Sequence, residues 1–305
     1  MAAYLVQRGL HALLVVIGVS LVIFVLSRLS GDPVSLMVPF DVPREQREAI
    51  RRDLGLDQPL PIQYFDFVAH AARGDFGTSV RNRVPALRLV LDRVPATLEL
   101  AAVALAFAVV VALPLGILSA IKHNSGWDVA GMAFSFLGQS VPSFWLGILL
   151  ILVLGVNLRV LPISGSGTPW HLVMPGITLG SFFMASLARL TRSSLLDVLG
   201  QDYVRTARAK GLGEWVVVGV HALKNAAIPV VTALGVYVGQ LLSGAVITEQ
   251  IFAYPGVGRL AIDAISTRDF PVVQANVLFV SAIVVVLSFL VDLLYLALDP
   301  RIRYA

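Results

Sequence analysis

Cysteine is absent from all 305 residues. That excludes disulfides, thiolate nucleophiles and zinc–thiolate sites. Charge is scarce too: Asp, Glu, Lys and Arg make up 14% of the chain, against about a quarter in soluble domains. No Gly-x-x-x-x-Gly-Lys-Ser/Thr segment occurs, so nothing in this chain is built to cradle nucleotide phosphates. His171 and His221 stand alone, without metal-ligand spacing. Ile163-Ser164-Gly165-Ser166-Gly167 shares letters with a serine-protease motif, but its Pro/Gly-rich surroundings read as a loop.

What remains is apolar. Hydrophobic residues are 57% of the chain and mean hydropathy is +0.83. One large core cannot absorb that excess; a bilayer can, because lipid replaces water as the solvent for most side chains. Six stretches are long enough to cross: about 9–29, 97–121 (interrupted by Pro114), 129–156, 172–188, 226–248 and 272–298. The third is longer than one span needs, and Gln139-Ser140-Val141-Pro142-Ser143 predicts a kink or break within it. Arg8 before Ala12–Leu26 has the look of a secretion signal, but Ser27-Arg28-Leu29-Ser30 is a poor cleavage site, so an uncleaved first span is expected. The formal charge of +4 and pI near 9.6 fit basic cytoplasmic segments better than nucleic-acid binding.

A polar segment, about 30–96, separates the first two spans and holds nine arginines and nine acidic residues. It reads as a small extracytoplasmic subdomain, with a short helix from Pro43 to Leu54 that Gly55 ends. In the short loops and tails, ten Lys or Arg residues fall on one side and three on the other. Both termini are therefore expected in the cytoplasm; the long first loop is discounted, because long loops translocate largely regardless of charge.

Ionisable groups inside the spans are few, which argues against an ion-coupled carrier. Glu99, Asp292, Arg189 and Arg192 are placed near span ends. Gln139, Ser140, Gln240 and Asn276 are uncharged polar residues at membrane depth, and with Ser243 they are candidates either to line a pathway or to glue helices together. Gly235, Gly239 and Ser243 repeat at four-residue spacing, a face that admits a close neighbour.

The most informative stretch is Ser193–Pro229, a long connector between spans four and five. Apolar residues at 195, 196, 199, 203, 204 and 207 predict one helix running to Lys210, stopped by Gly211. A second helix is expected from about Glu214 to Ala227, with Pro229 opening the next span. The connector is basic on one face, and as two ordered helices it is much for a plain loop.

Tyr203-Val204-Arg205-Thr206-Ala207-Arg208-Ala209-Lys210-Gly211-Leu212, continuing to Ala226-Ala227-Ile228-Pro229, resembles the cytoplasmic signature of ABC importer permeases. Gly31-Asp32-Pro33, Leu54-Gly55-Leu56-Asp57-Gln58-Pro59, Gly74-Asp75-Phe76-Gly77-Thr78-Ser79, Pro95-Ala96-Thr97-Leu98 and Ser140-Val141-Pro142-Ser143-Phe144 narrow the resemblance to B-type permeases of bacterial dipeptide/oligopeptide ABC importers. It covers nearly the whole chain. Thr206-Ala207 departs from the generic Glu-Ala-Ala opening, in a way common among peptide-type permeases.

That resemblance implies an all-α membrane protein with the type I ABC importer permease fold. Residues 1–95 would hold the first span and the subdomain, and 96–305 the five-helix core with its coupling segment at about 193–228. It implies a plasma-membrane location and an importer transporting dipeptides or oligopeptides, with glutathione, nickel complexes or small glycans as alternatives. The implied partners are a homologous second permease, two cytoplasmic ATPase subunits carrying ATP and Mg, and an extracytoplasmic binding protein. Tyr203, Arg205, Ala207, Arg208, Lys210, Gly211, Leu212 and Glu214 would form the ATPase-coupling surface. No cofactor is expected in this chain. The rivals are an autonomous channel or ion-coupled carrier and a structural scaffold, neither of which needs such a protrusion.

Overall fold

The computed structural model describes residues 2–29, 43–53 and 55–298, with side chains at all of these except 2–6, 50, 53, 242–244 and 292–298. Gly31-Asp32-Pro33 and the basic C-terminal tail lie outside the described residues, as does the Asp292 side chain. Among the described residues there is no strand, only one isolated bridge between Thr78 and Pro85. Five helices are long and apolar enough to cross a membrane, six if one bent pair counts as a single span.

The chain forms two compact units, 1–95 with 256–289 and 96–255 with 290–305. In the first, α1 (Ala2–Leu29) exposes Leu13, Leu14, Val22, Leu26 and other apolar side chains, as a lipid-facing helix must. It buries a narrow stripe of Ser20, Ile23, Phe24 and Ser27. Against that stripe packs α3 (Leu60–Ala71): the Phe24 ring stands edge-on to Tyr64 at 5.5 Å, and Ser20 Oγ lies 2.8 Å from the Tyr64 hydroxyl. The short α2 (Arg44–Asp53) ends as expected. Gly55 takes φ +63°, its N–H donates to Arg52 O, and Leu56 N–H donates to Arg51 O, a Schellman closure. The expected subdomain thus contains a second helix, α3, that turn signals alone did not suggest. Asp269, 3% exposed, ties this unit together by accepting from Ser79 Oγ at 2.5 Å and Val80 N at 3.2 Å.

The second span is longer than expected: α4 runs Ala86–Ile121, through Pro95 and Pro114 without interruption. Bilayer helices tolerate proline where neighbours re-satisfy the freed carbonyls. The third stretch does more than kink. α5 (Gly126–Ser140) and α6 (Ser143–Leu150, continued by a π-helical turn at Ile151–Asn157) meet at 100°. Pro142 disfavours helical backbone at the residue before it, and Val141 is extended at φ −83°, ψ 123°.

α7 (Trp170–Leu199) is the hub of the second unit: 72% of its apolar window is buried, against 17–33% for the other unbent spans. Small residues let α4 lie close upon it. A methyl on Gly180 would sit 2.5 Å from Ala104 O, and one on Gly116 2.6 Å from Thr191 Cβ. Similarly, Gly138 of α5 rests on Met184 and Ser181 of α7. Gly235 meets Val291 of the last helix at 3.3 Å, whereas Gly239 faces open space.

The connector corrects two expectations. The helix expected from Leu195 to Lys210 is broken: α7 runs to Leu199, and α8 (Asp202–Ala209) starts anew. The break is made at Gln201, extended at φ −76°, ψ 150°, while Gly200 keeps helical backbone at φ −78°, ψ −10°. Nor does Pro229 open a new span. α9 (Glu214–Val216), a π-helical turn (Val217–Ala222) and α10 (Leu223–Ile251) follow without a gap, with Pro229 inside α10. A short α11 (Val257–Ser266) and the last span α12 (Phe270–Leu298) complete the chain.

Candidate functional site: the α8–α9 protrusion and the broken span

α8 lies on the end of the α7–α10 pair through one apolar face. Val204, Ala207 and Val217 are buried together against Val198 and Leu199. Tyr203 is pinned by Asn225 Nδ2, which donates to its hydroxyl at 2.7 Å. The turn between α8 and α9 is closed by charge: Arg208 donates to both carboxylate oxygens of Glu214, Nε at 3.1 Å and Nη2 at 2.5 Å. The carboxylate beside it holds the Arg208 guanidinium above its ordinary pKa, so it stays charged at any working pH.

Gly211 sits in this turn at φ +79°, and a Cβ there would meet nothing within 4 Å. Within this chain its requirement is therefore backbone conformation rather than space. Arg205 pairs only loosely with Asp202, at 3.5 Å with both exposed, and Lys210 is exposed. The sequence reading passed over Trp215, which is 90% exposed. Tyr203 and Leu212 are exposed as well.

The candidate pathway residues divide. Asn276 is 3% exposed and its Nδ2 donates to Val257 O at 2.8 Å, so here it joins helices. Gln139 and Ser140 are exposed at the broken end of α5, and Gln240 is exposed on α10. The side chain of Ser243 lies outside the described residues. Three carboxylates went unremarked or undervalued. Asp128, buried at the start of α5, accepts a bidentate bond from Arg192, Nε at 2.6 Å and Nη2 at 2.7 Å, plus Asn124 N at 3.0 Å. Glu249 is fully buried near the end of α10 and accepts from Thr97 Oγ1 at 2.5 Å. Glu99 accepts from the Tyr254 hydroxyl at 3.1 Å. Burial first, and the Glu99 carboxylate second, push the Tyr254 phenol well above its ordinary range, so it remains a donor. Among the described residues no group of His, Asp or Glu is placed to hold a metal ion.

A hub helix crossed closely by its neighbours, a broken third span and a two-helix protrusion before the fifth define a helical membrane bundle. The family profile described as binding-protein-dependent transport system inner membrane component matches residues 112–304, and the profile of its N-terminal region matches 1–101. The chain belongs to that family and is a membrane-embedded permease subunit of an ABC importer. It is 40% identical over 321 residues to the dipeptide transport system permease protein DppB of Escherichia coli K12, covering 94% of this chain and 95% of that one. It is 42% identical to the glutathione transport system permease protein GsiC of Pectobacterium atrosepticum, and 39% to the oligopeptide transport system permease protein AppB of Bacillus subtilis, in both cases over the full length of each. Among solved structures, a chain of the MetNI methionine ABC transporter superposes with TM-score 0.57 at 19% identity, over 69% of this chain and 96% of that chain. That likeness shows the shared fold.

Proposed function

We propose that this permease carries short peptides into the cell as one half of a permease pair, driven by two ATPase subunits and fed by a binding protein. The observation that carries the substrate class is the full-length similarity to permeases named for dipeptides, oligopeptides and glutathione, all short chains with peptide bonds. In this reading Tyr203, Arg205, Ala207, Arg208, Lys210, Gly211, Leu212 and Glu214 present the coupling surface, with Trp215 added. Ala207 acts from beneath, by seating α8. Arg208 and Glu214 act by closing the turn, and Tyr203, Leu212 and Trp215 offer apolar area to the ATPase.

ATP and Mg belong to the partner subunits, and both termini of this chain face the cytoplasm. Transport follows from two permease states of different affinity for the nucleotide-closed ATPase pair. The rotation of the ATPases reaches the spans through α9 and α10, which are continuous. The test is uptake of labelled dialanine, trialanine and glutathione by membranes carrying the assembled importer. Saturable, ATP-dependent uptake of at least one is expected. Uptake of a nickel complex or a glycan with none of the peptides would overturn the substrate class and leave the permease assignment standing.

A further inference from the structure

Arg189 and Arg192 lie three residues apart on α7, about one helical turn. Their side chains nevertheless go to opposite ends of α5. Arg192 grips Asp128 in the first turn of α5, while Arg189 Nη2 donates at 2.5 Å to Gln139 Oε1 in its last turn. Eleven residues separate Asp128 from Gln139, about 16 Å along a helix axis. If the buried ion pair marks one membrane face, Gln139 stands near the middle of a hydrocarbon layer about 30 Å thick. A long basic side chain near a span end ordinarily turns to the interface. Arg189 turns the other way, toward the N-terminal side of its helix, where Gly138 rests on Met184.

Among the described residues no carboxylate pairs with it there. The acceptor of its Nη2 is a neutral amide, and its Nη1 is buried with no hydrogen-bond partner. A guanidinium left with an unused donor at such depth is costly unless an anion completes it. The break in the span is an independent observation. Non-helical backbone at membrane depth persists only where protein buries it or water reaches it. Gln139 and Ser140 are exposed rather than buried beside the extended Val141. An exposed break in the span and a cation without a charged partner thus share one place.

We propose that Arg189, backed by Gln139, is a carboxylate-binding station on the translocation path, and that it takes the C-terminal carboxylate of a peptide in transit. The planar guanidinium suits a carboxylate, whose two oxygens match its parallel N–H groups. A lipid phosphate has the same chemistry, but headgroups lie at the interface, away from the direction in which Arg189 reaches. The identity of the anion rests on the peptide reading above; the station itself does not.

The experiment uses the assembled importer in detergent without its binding protein. Phenylglyoxal modification of Arg189 is followed by mass spectrometry, with acetate, dialanine, dialanine amide or phosphatidylglycerol added. Acetate and dialanine should slow labelling of Arg189 at least fivefold, and the amide should not. Protection by dialanine amide as strong as that by acetate, protection by phosphatidylglycerol alone, or no protection by any of them would each overturn the station. In vesicles with saturating binding protein, Arg189→Gln should lower dialanine uptake at least tenfold at equal complex yield, and Arg189→Lys should retain more than Arg189→Gln. Wild-type uptake by Arg189→Gln would also overturn the station. If acetate protects Arg189 but the wild type imports no peptide, the station stands and the substrate class falls.

Discussion

At Gly211 the space around the residue and the conformation it holds make different demands, and the structure separates them. The site is open, yet φ is +79°. Asn tolerates that region far better than a β-branched residue does. Gly211→Asn should therefore keep most uptake, whereas Gly211→Val should lose at least tenfold at unchanged membrane level, because the residue lies outside the spans. Equal loss in both variants would show that size, not conformation, decides. The Asp128–Arg192 pair obeys another rule. Removing one member strands a buried charge, so Asp128→Ala should destabilise the protein by about 3 kcal/mol. The double variant Asp128→Leu with Arg192→Leu should recover part of that, read from thermal unfolding of the purified complex. Gly211 was legible in the sequence, since a glycine after a basic helical run signals a stop. Asp128 was not: its partner is 64 positions away, and neither residue carries a local signal of the other. Glu249 escaped notice for a related reason. It lies one residue beyond the span ending expected at 248, in a helix that runs to Ile251, where Thr97 receives it.

Helices were easier to foresee than their joints. Every expected span but the third lies within one described helix, and the third is split at Val141-Pro142. The errors sit at boundaries. α4 and α10 pass through prolines, which bilayer helices tolerate where neighbouring groups re-satisfy the freed carbonyls. Conversely, α7 and α8 separate at Gly200-Gln201, inside an unbroken apolar pattern, because periodicity reports a buried face and not the continuity of the backbone. Pro142 was read correctly as a break, though not as one of 100°. If proline sets that bend, Pro142→Ala should relax it. Spin labels at Ala130 and Ile148, both exposed, are straightforward to place in a chain that has no cysteine of its own. Their distance distribution should shift to longer values in Pro142→Ala, and an unchanged distribution would assign the bend to packing on α7 instead.

For the whole molecule, the orientation across the membrane rests on charge alone. Reporter fusions at Asp57 and Gly165 should read extracytoplasmic and a fusion at Gly213 cytoplasmic; a cytoplasmic signal at Asp57 would reverse the chain. The purified chain should show no saturable ATP binding by equilibrium titration, since no phosphate loop is present in its sequence. The stretch from Glu214 to Ile251 bears on how motion crosses the protein. At 1.5 Å per residue it is a beam roughly 55 Å long. Its helix has no gap, so a push at one end is carried toward the other. Pivoting it by about 5° around its midpoint carries each tip some ~2 Å in opposite directions, enough to pinch one mouth of a channel while prising the other apart. Its single irregular tooth is the π-helical turn at Val217–Ala222, where one turn holds an additional residue. Deleting Val220 should let that turn wind as ordinary helix with the Glu214 tip facing as before, because the turn absorbs its extra residue locally. One alanine inserted after Lys224, in ordinary helix, should instead swivel the tip by about 100°; the permease should then still insert, yet fail to co-purify with its ATPases, like a key cut correctly and turned a quarter of the way round before it meets the lock.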